Sequence, residues 1–167
     1  MSESKFVDIG PLRVFDDALQ FGQDPEGFRL RVDGSGASSS TGDRLTWDEI
    51  GEYSLDLTPY GRAPRLKAGL RAASYLLSPV GATAASSAPG GEDYLGISPK
   101  RGYGRGVGGV LPHEGKTKRA EREVIQEMLA LVMDPATRST VLGSAIEVVT
   151  ERCLQRGLAA PGPRPSP

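Results

Sequence analysis

Apolar and polar residues alternate through most of the first third of the chain. Leu12-Arg13-Val14-Phe15 and Ala18-Leu19-Gln20-Phe21 are short alternations on either side of Asp16-Asp17. Phe28 to Asp33 has a period of two, with Phe28, Leu30 and Val32 on one face and Arg29 and Arg31 on the other. Residues 33–42 are Gly-, Ser- and Thr-rich and read as a loop. Leu45-Thr46-Trp47-Asp48-Glu49-Ile50 then leads into Tyr53–Leu57, where Ser54 and Asp56 are expected outward. Alternation of this kind leaves one face wet, so it predicts an antiparallel sheet covered on one side only.

The period changes further on. Leu66, Leu70, Ala73 and Leu77 recur at helical spacing among basic residues and predict a short amphipathic helix over 65–77. Residues 78–92 are Ala, Ser, Gly and Pro and read as a mobile connector. Tyr94–Ser98 is a further strand, Gly102–Gly109 a glycine tract, and Val110-Leu111 a last strand. From 118 to 133, Ala120, Val124, Met128, Leu131 and Val132 line one helical face. Asp134-Pro135 reads as an N-cap with proline at the first helical position, which starts a second helix running to 156. Its stripe is Val141, Leu142, Ala145, Ile146, Val149, Cys153 and Leu154, and Gly157 is its natural stop. No internal repeat is visible.

These elements predict an α+β fold, a small antiparallel sheet or partial barrel packed against a C-terminal helical hairpin. One domain spans 1–157, with a β-rich part at 12–57, an irregular basic middle at 58–112 and the hairpin at 118–156. Residues 158–167 read as a disordered Pro-rich tail. Composition fits a single modest core: Gly and Pro make up 35 of 167 residues and apolar residues only 38%, against roughly 45–50% in a typical domain. No stretch approaches the roughly 18–20 apolar residues a membrane helix needs. The N-terminus has no export-signal pattern, there is one cysteine, and there is no asparagine to glycosylate. The expected location is cytoplasmic.

A net charge of −1 conceals segregation. Residues 1–57 carry 12 acids and 5 bases, whereas 58–122 carry 4 acids and 11 bases. The basic middle is therefore expected to meet an anionic surface, and the chain's own acidic first third is the nearest one. Candidate anion-binding residues are Arg65, Lys67, Arg71, Lys100, Arg101, Tyr103 and Arg105. Arginine, glycine and tyrosine interleaved over 100–106 suit a phosphate backbone with stacked bases.

Other motifs lack the context their chemistry requires. Gly104-Arg105-Gly106-Val107-Gly108-Gly109 matches the dinucleotide fingerprint, but Val-Leu-Pro follows it instead of a helix. Gly115-Lys116-Thr117 resembles the end of a phosphate loop whose first glycine is one position out of place. His113 has no ligand-spaced neighbours, Cys153 falls on an apolar stripe, and the paired acids fall in turns. No catalytic set, cofactor or metal site is expected.

The strand at 27–32, the polar loop, and Trp47-Asp48-Glu49-Ile50 opening the next strand resemble the bacterial pleckstrin-homology-like domains. The helix at 118–133 is similar to the one that closes their barrel. The resemblance covers 12–57 and that helix. It implies a non-catalytic scaffold for peptide, protein or lipid headgroups; no lipid-binding residues carry over. Three functions stand open: first a non-catalytic cytoplasmic interaction module for a protein, peptide or anionic surface, then a nucleic-acid-associated protein using the basic middle, and last an enzyme whose chemistry no motif here announces. Trp47 is expected in the core at a strand entrance.

Overall fold

The computed structural model describes residues 5–57, 93–111, 117–162 and 164–165. The helix expected at 65–77 and the connector at 78–92 lie outside them. The described residues form ten strands and three helices, and the fold is α+β. The strands are β1 (Lys5–Ile9), β2 (Leu12–Phe15), β3 (Ala18–Phe21), β4 (Leu30–Asp33), β5 (Gly36–Ser39), β6 (Arg44–Thr46), β7 (Ile50–Asp56), β8 (Tyr94–Pro99), β9 (Val107–Val110) and β10 (Arg164–Pro165). The helices are α1 (Arg119–Met133), α2 (Arg138–Leu142) and α3 (Ala145–Gln155). An antiparallel sheet runs in the order β10-β1-β2-β3-β4-β5-β6, and a second runs β7-β8-β9.

Register explains why one face of the large sheet carries continuous apolar rows. Val7, Val14, Leu19, Val32, Ala37 and Leu45 lie opposite one another across six strands and are all buried. Ile9, Leu12, Phe21 and Leu30 form the neighbouring buried row. The intervening positions put Asp8, Arg13, Gln20, Arg31, Ser38 and Arg44 in a polar ladder on the opposite face. On α1, Val124, Ile125, Met128, Leu129 and Val132 are buried, and they join the inner rows in one continuous core. From α3 come Ala145, Val149 and Cys153. The first amide of α3, at Ala145, donates to the Asp16 carbonyl in the β2–β3 turn at 3.2 Å.

The helices form an antiparallel pair, as expected, but the second one is interrupted. Asp134 ends α1 rather than starting the next helix. Its Oδ1 accepts the Ala136 amide at 2.9 Å, which forms a turn. After α2, Gly143 and Ser144 break the path before α3 begins. The turn completes the C-terminus of α1, where four carbonyls lack helical partners. Ala130 O accepts the Asp134 amide, Leu131 O the Thr137 hydroxyl, Val132 O the Arg138 Nε and Met133 O an Arg138 terminal nitrogen. At the far end of α3, Gly157 (φ +70°) adopts the left-handed conformation. The Gly157 and Leu158 amides donate to the Leu154 and Cys153 carbonyls, a Schellman stop. Glu123 and Glu127 of α1 pair with Arg156, which caps α3, and Arg152 within it, with Glu127 bridging to both arginines.

Trp47 ties sheet to helices. It is half-buried rather than enclosed in the core, and its ring lies under the Arg138 guanidinium, 3.5 Å from the ring centroid. Its indole N–H donates to the Asp33 and Gly34 carbonyls in the β4–β5 turn. One arginine therefore caps α1 and stacks on a tryptophan that holds the sheet's turn.

Other differences from the sequence reading have local causes. Residues 36–39 form strand β5, although their composition suggested a loop. A Cβ on Gly36 (φ +135°) would lie 2.1 Å from the Leu45 carbonyl oxygen, so small residues there permit close pairing with β6. β1 was not anticipated; Val7 and Ile9 face in and Asp8 out. Tyr53, expected inward, shares a face with Ile97 and Val107, but it lies on the first strand of its sheet and is 43% exposed. Within the tail expected to be disordered, Arg164–Pro165 pairs with Lys5–Phe6 of β1.

Two predictions follow from this packing. Replacing Arg138 with alanine removes two helix-capping bonds and the ring contact, and should cost about 2–3 kcal/mol by urea unfolding. A double-mutant cycle with Trp47→Leu should show a coupling of about 0.5–2 kcal/mol; additive effects would dissociate the stack from stability. The Asp33 carboxyl is pushed up by partial burial, but hydrogen bonds from the Ser35 hydroxyl and amide and from Arg31 outweigh that and hold it below its ordinary value. Its contribution is therefore present above the unfolded pKa, about 3.9, and is lost as pH falls through the lower folded value. Asp33→Asn should flatten the acid limb of the stability profile over that window.

Candidate functional site

The β8–β9 hairpin carries the site. Pro99 ends β8, and the Lys100 amide donates to the Glu49 carbonyl at 2.7 Å, which anchors the base of the loop. The Tyr103 amide donates to the Lys100 carbonyl at 3.1 Å across a four-residue turn. Gly102, third in that turn, has φ +92°, the conformation a type II turn needs at this position. Residues 100–106 are all exposed, and Tyr103 retains 50% of its surface.

The loop thus groups Lys100, Arg101, Tyr103 and Arg105, four of the seven sequence candidates, on one turn. Arg65, Lys67 and Arg71 lie outside the described residues. No acid occurs between Tyr94 and Leu111, and among the described residues none of the three loop cations is in an ion pair. The nearest acid in the pairing scheme is turned away: the Glu49 carboxylate accepts the Thr46 amide and hydroxyl at 2.8 and 3.0 Å. Three unneutralised positive charges beside an exposed aromatic ring can hold a carboxylate- or phosphate-bearing surface and offer one stacking platform.

Among the described residues, this loop pairs with no carboxylate of the acidic first third. Its carboxylates engage near neighbours: Asp8 pairs with Arg13 at 2.8 Å, and Asp17 and Asp33 pair with Arg31 at 3.6 and 3.4 Å. Both arginines also cover aromatic rings on the outer face. The Arg13 guanidinium lies 4.0 Å from the Phe6 centroid and that of Arg31 5.1 Å from Phe15, while the two rings are 5.9 Å apart. The sequence does not announce this cover; its one signal is the arginine after the leading leucine of each strand, Leu12-Arg13 in β2 and Leu30-Arg31 in β4. It leaves those guanidinium groups committed within the fold.

The glycine tract has a packing role. A Cβ on Gly106 would stand 2.9 Å from the Ile97 carbonyl oxygen, and one on Gly108 would stand 2.8 Å from the Tyr94 hydroxyl. The Phe28 ring covers Gly109, where a Cβ would lie 2.7 Å from a ring carbon. These glycines belong to a strand and its loop; they do not open a helix toward a pyrophosphate. Thr117, the last residue of the phosphate-loop-like triplet, is buried beside Gly10 and is not presented to solvent. Cys153 is buried in the core, where burial and then Glu121 push its thiol above the ordinary range. His113 lies outside the described residues. Among the described residues no group of three or more His, Cys, Asp or Glu is placed to hold a metal ion, and no helix is long and apolar enough to cross a membrane.

The chain matches no family model, no curated protein and no solved structure.

The packing at Gly109 can be tested directly. Gly109→Ala should destabilise the fold by about 1–3 kcal/mol through overpacking against Phe28. Combining it with Phe28→Ala, which vacates that space, should cost less than the sum of the two single changes.

Proposed function

We propose that this chain is a non-catalytic interaction module of the cytoplasm, which binds the acidic surface of a protein or peptide through the 100–106 loop. The observation that carries this reading is the grouping of Lys100, Arg101 and Arg105 on one exposed turn without a neutralising carboxylate. Of the arginines in β2, β4 and β6, Arg13 and Arg31 cover aromatic rings and pair with acids, and Arg44 stands singly. The order of antiparallel strands followed by a closing helix supports a scaffold of the pleckstrin-homology-like kind. A second reading, nucleic-acid association, is favoured specifically by Tyr103, which stands half-exposed between Arg101 and Arg105 and could stack a base.

The test uses the full chain with two fluorescent probes, a glutamate-rich peptide and a single-stranded oligonucleotide. The peptide should bind with an affinity that falls steeply as salt rises, because the contacts are exposed charges. Lys100→Glu, Arg101→Glu and Arg105→Glu combined should weaken binding at least tenfold without changing the melting temperature. Unchanged affinity in that variant would exclude the loop. If Tyr103→Ala weakens the oligonucleotide complex but leaves the peptide complex intact, and the oligonucleotide is the tighter ligand, the nucleic-acid reading takes precedence.

A further inference from the structure

The large sheet ends at β1, and β10 closes that edge with a register of Lys5↔Pro165 and Phe6↔Arg164. The β1–β2 hairpin turns through two residues, Gly10 and Pro11, so Ile9 and Leu12 are the hydrogen-bonding pair beside the turn. Hydrogen-bonded pairs alternate from there. Val7 faces β2, while Phe6 and Asp8 direct their backbone N–H and C=O groups the other way, toward β10. Arg164, opposite Phe6, therefore meets β1 with its own amide. Pro165, opposite Lys5, occupies a position where the ladder requires no N–H from the added strand.

The sequence extends this pattern. Proline occupies every second position in Pro161-Gly162-Pro163-Arg164-Pro165-Ser166-Pro167. In an extended strand, neighbouring residues direct their amides to opposite edges. β10 therefore carries an N–H donor on its Arg164 edge and none on its Pro165 edge. It can add to a sheet, but no further strand can add to it with a complete ladder.

We propose that the β1 edge is a strand-docking site and that its occupant is this chain's own segment around Arg164–Pro165, a one-sided strand that prevents β1 from pairing with a second copy. Edge strands left open template association. β1 would be such a template, because three of its five residues, Phe6, Val7 and Ile9, are apolar and none is proline.

The test compares three full-length proteins by residue-resolved amide exchange and sedimentation. Arg164→Pro removes the N–H that faces Phe6. Exchange at the Phe6 amide should then quicken at least tenfold while Val7, bonded to β2, keeps its protection, and self-association should rise with concentration. Pro165→Ala keeps the Phe6 contact and restores an outward N–H. Phe6 should stay protected while self-association rises above wild type. Unchanged Phe6 exchange in Arg164→Pro overturns the docking, as does equal loss of protection at Phe6 and Val7. A Pro165→Ala protein no more associated than wild type overturns the one-sided role.

Discussion

A sheet with one apolar face cannot stand alone in water, and that constraint organises the rest of this molecule. Two rows of aliphatic and aromatic side chains cross the strands on one side, and burying them provides the main stabilisation. Helix α1 covers them with five buried residues, and α3 holds α1 in place through paired glutamates and arginines. The cover is also fixed at its end. Thr137 and Arg138 satisfy the last carbonyls of α1, and the same arginine stacks on Trp47, whose N–H grips the β4–β5 turn. Helix termination and sheet geometry thus share one side chain.

The same economy separates arginines that serve the fold from cations that remain available. On the outer face, Arg13 and Arg31 lie over Phe6 and Phe15 and pair with carboxylates, so their charge is neutralised where it stands. The β8–β9 loop is built differently. Glycines allow β9 to lie close against Tyr94 and Phe28, and the loop before it projects three cations and a tyrosine, with none of the cations in an ion pair among the described residues. A surface feature of this kind does nothing for the core. That is the physical ground for assigning it to a partner.

Much of the fold was legible in the sequence because alternation and helical spacing report burial directly. The strands at 12–15, 18–21 and 30–33, the Tyr94 strand, α1 and the Gly157 stop all follow from such patterns. Features set by backbone approach were not legible. β5 looks like a loop because Gly36, Ala37, Ser38 and Ser39 carry almost no hydrophobic signal, yet the missing side chain of Gly36 is what lets it approach β6 closely. Asp134-Pro135 has the letters of a helix start but serves as a turn, because Arg138 and Thr137 reach back to the previous helix. β10 is hidden by Pro165, a residue that gives no strand signal in sequence yet suits an edge. Of the seven candidate binding residues, sequence proximity alone grouped the four on the loop, and the hairpin shows why they remain exposed.

Nuclear magnetic resonance mapping of an acidic-peptide titration tests the central claim most directly, since it reports every backbone amide at once. The account predicts shifts concentrated at residues 100–106 and their anchor at Glu49, with the outer-face amides of Arg13 and Arg31 unmoved. Shifts centred on that outer face, with 100–106 silent, would contradict it.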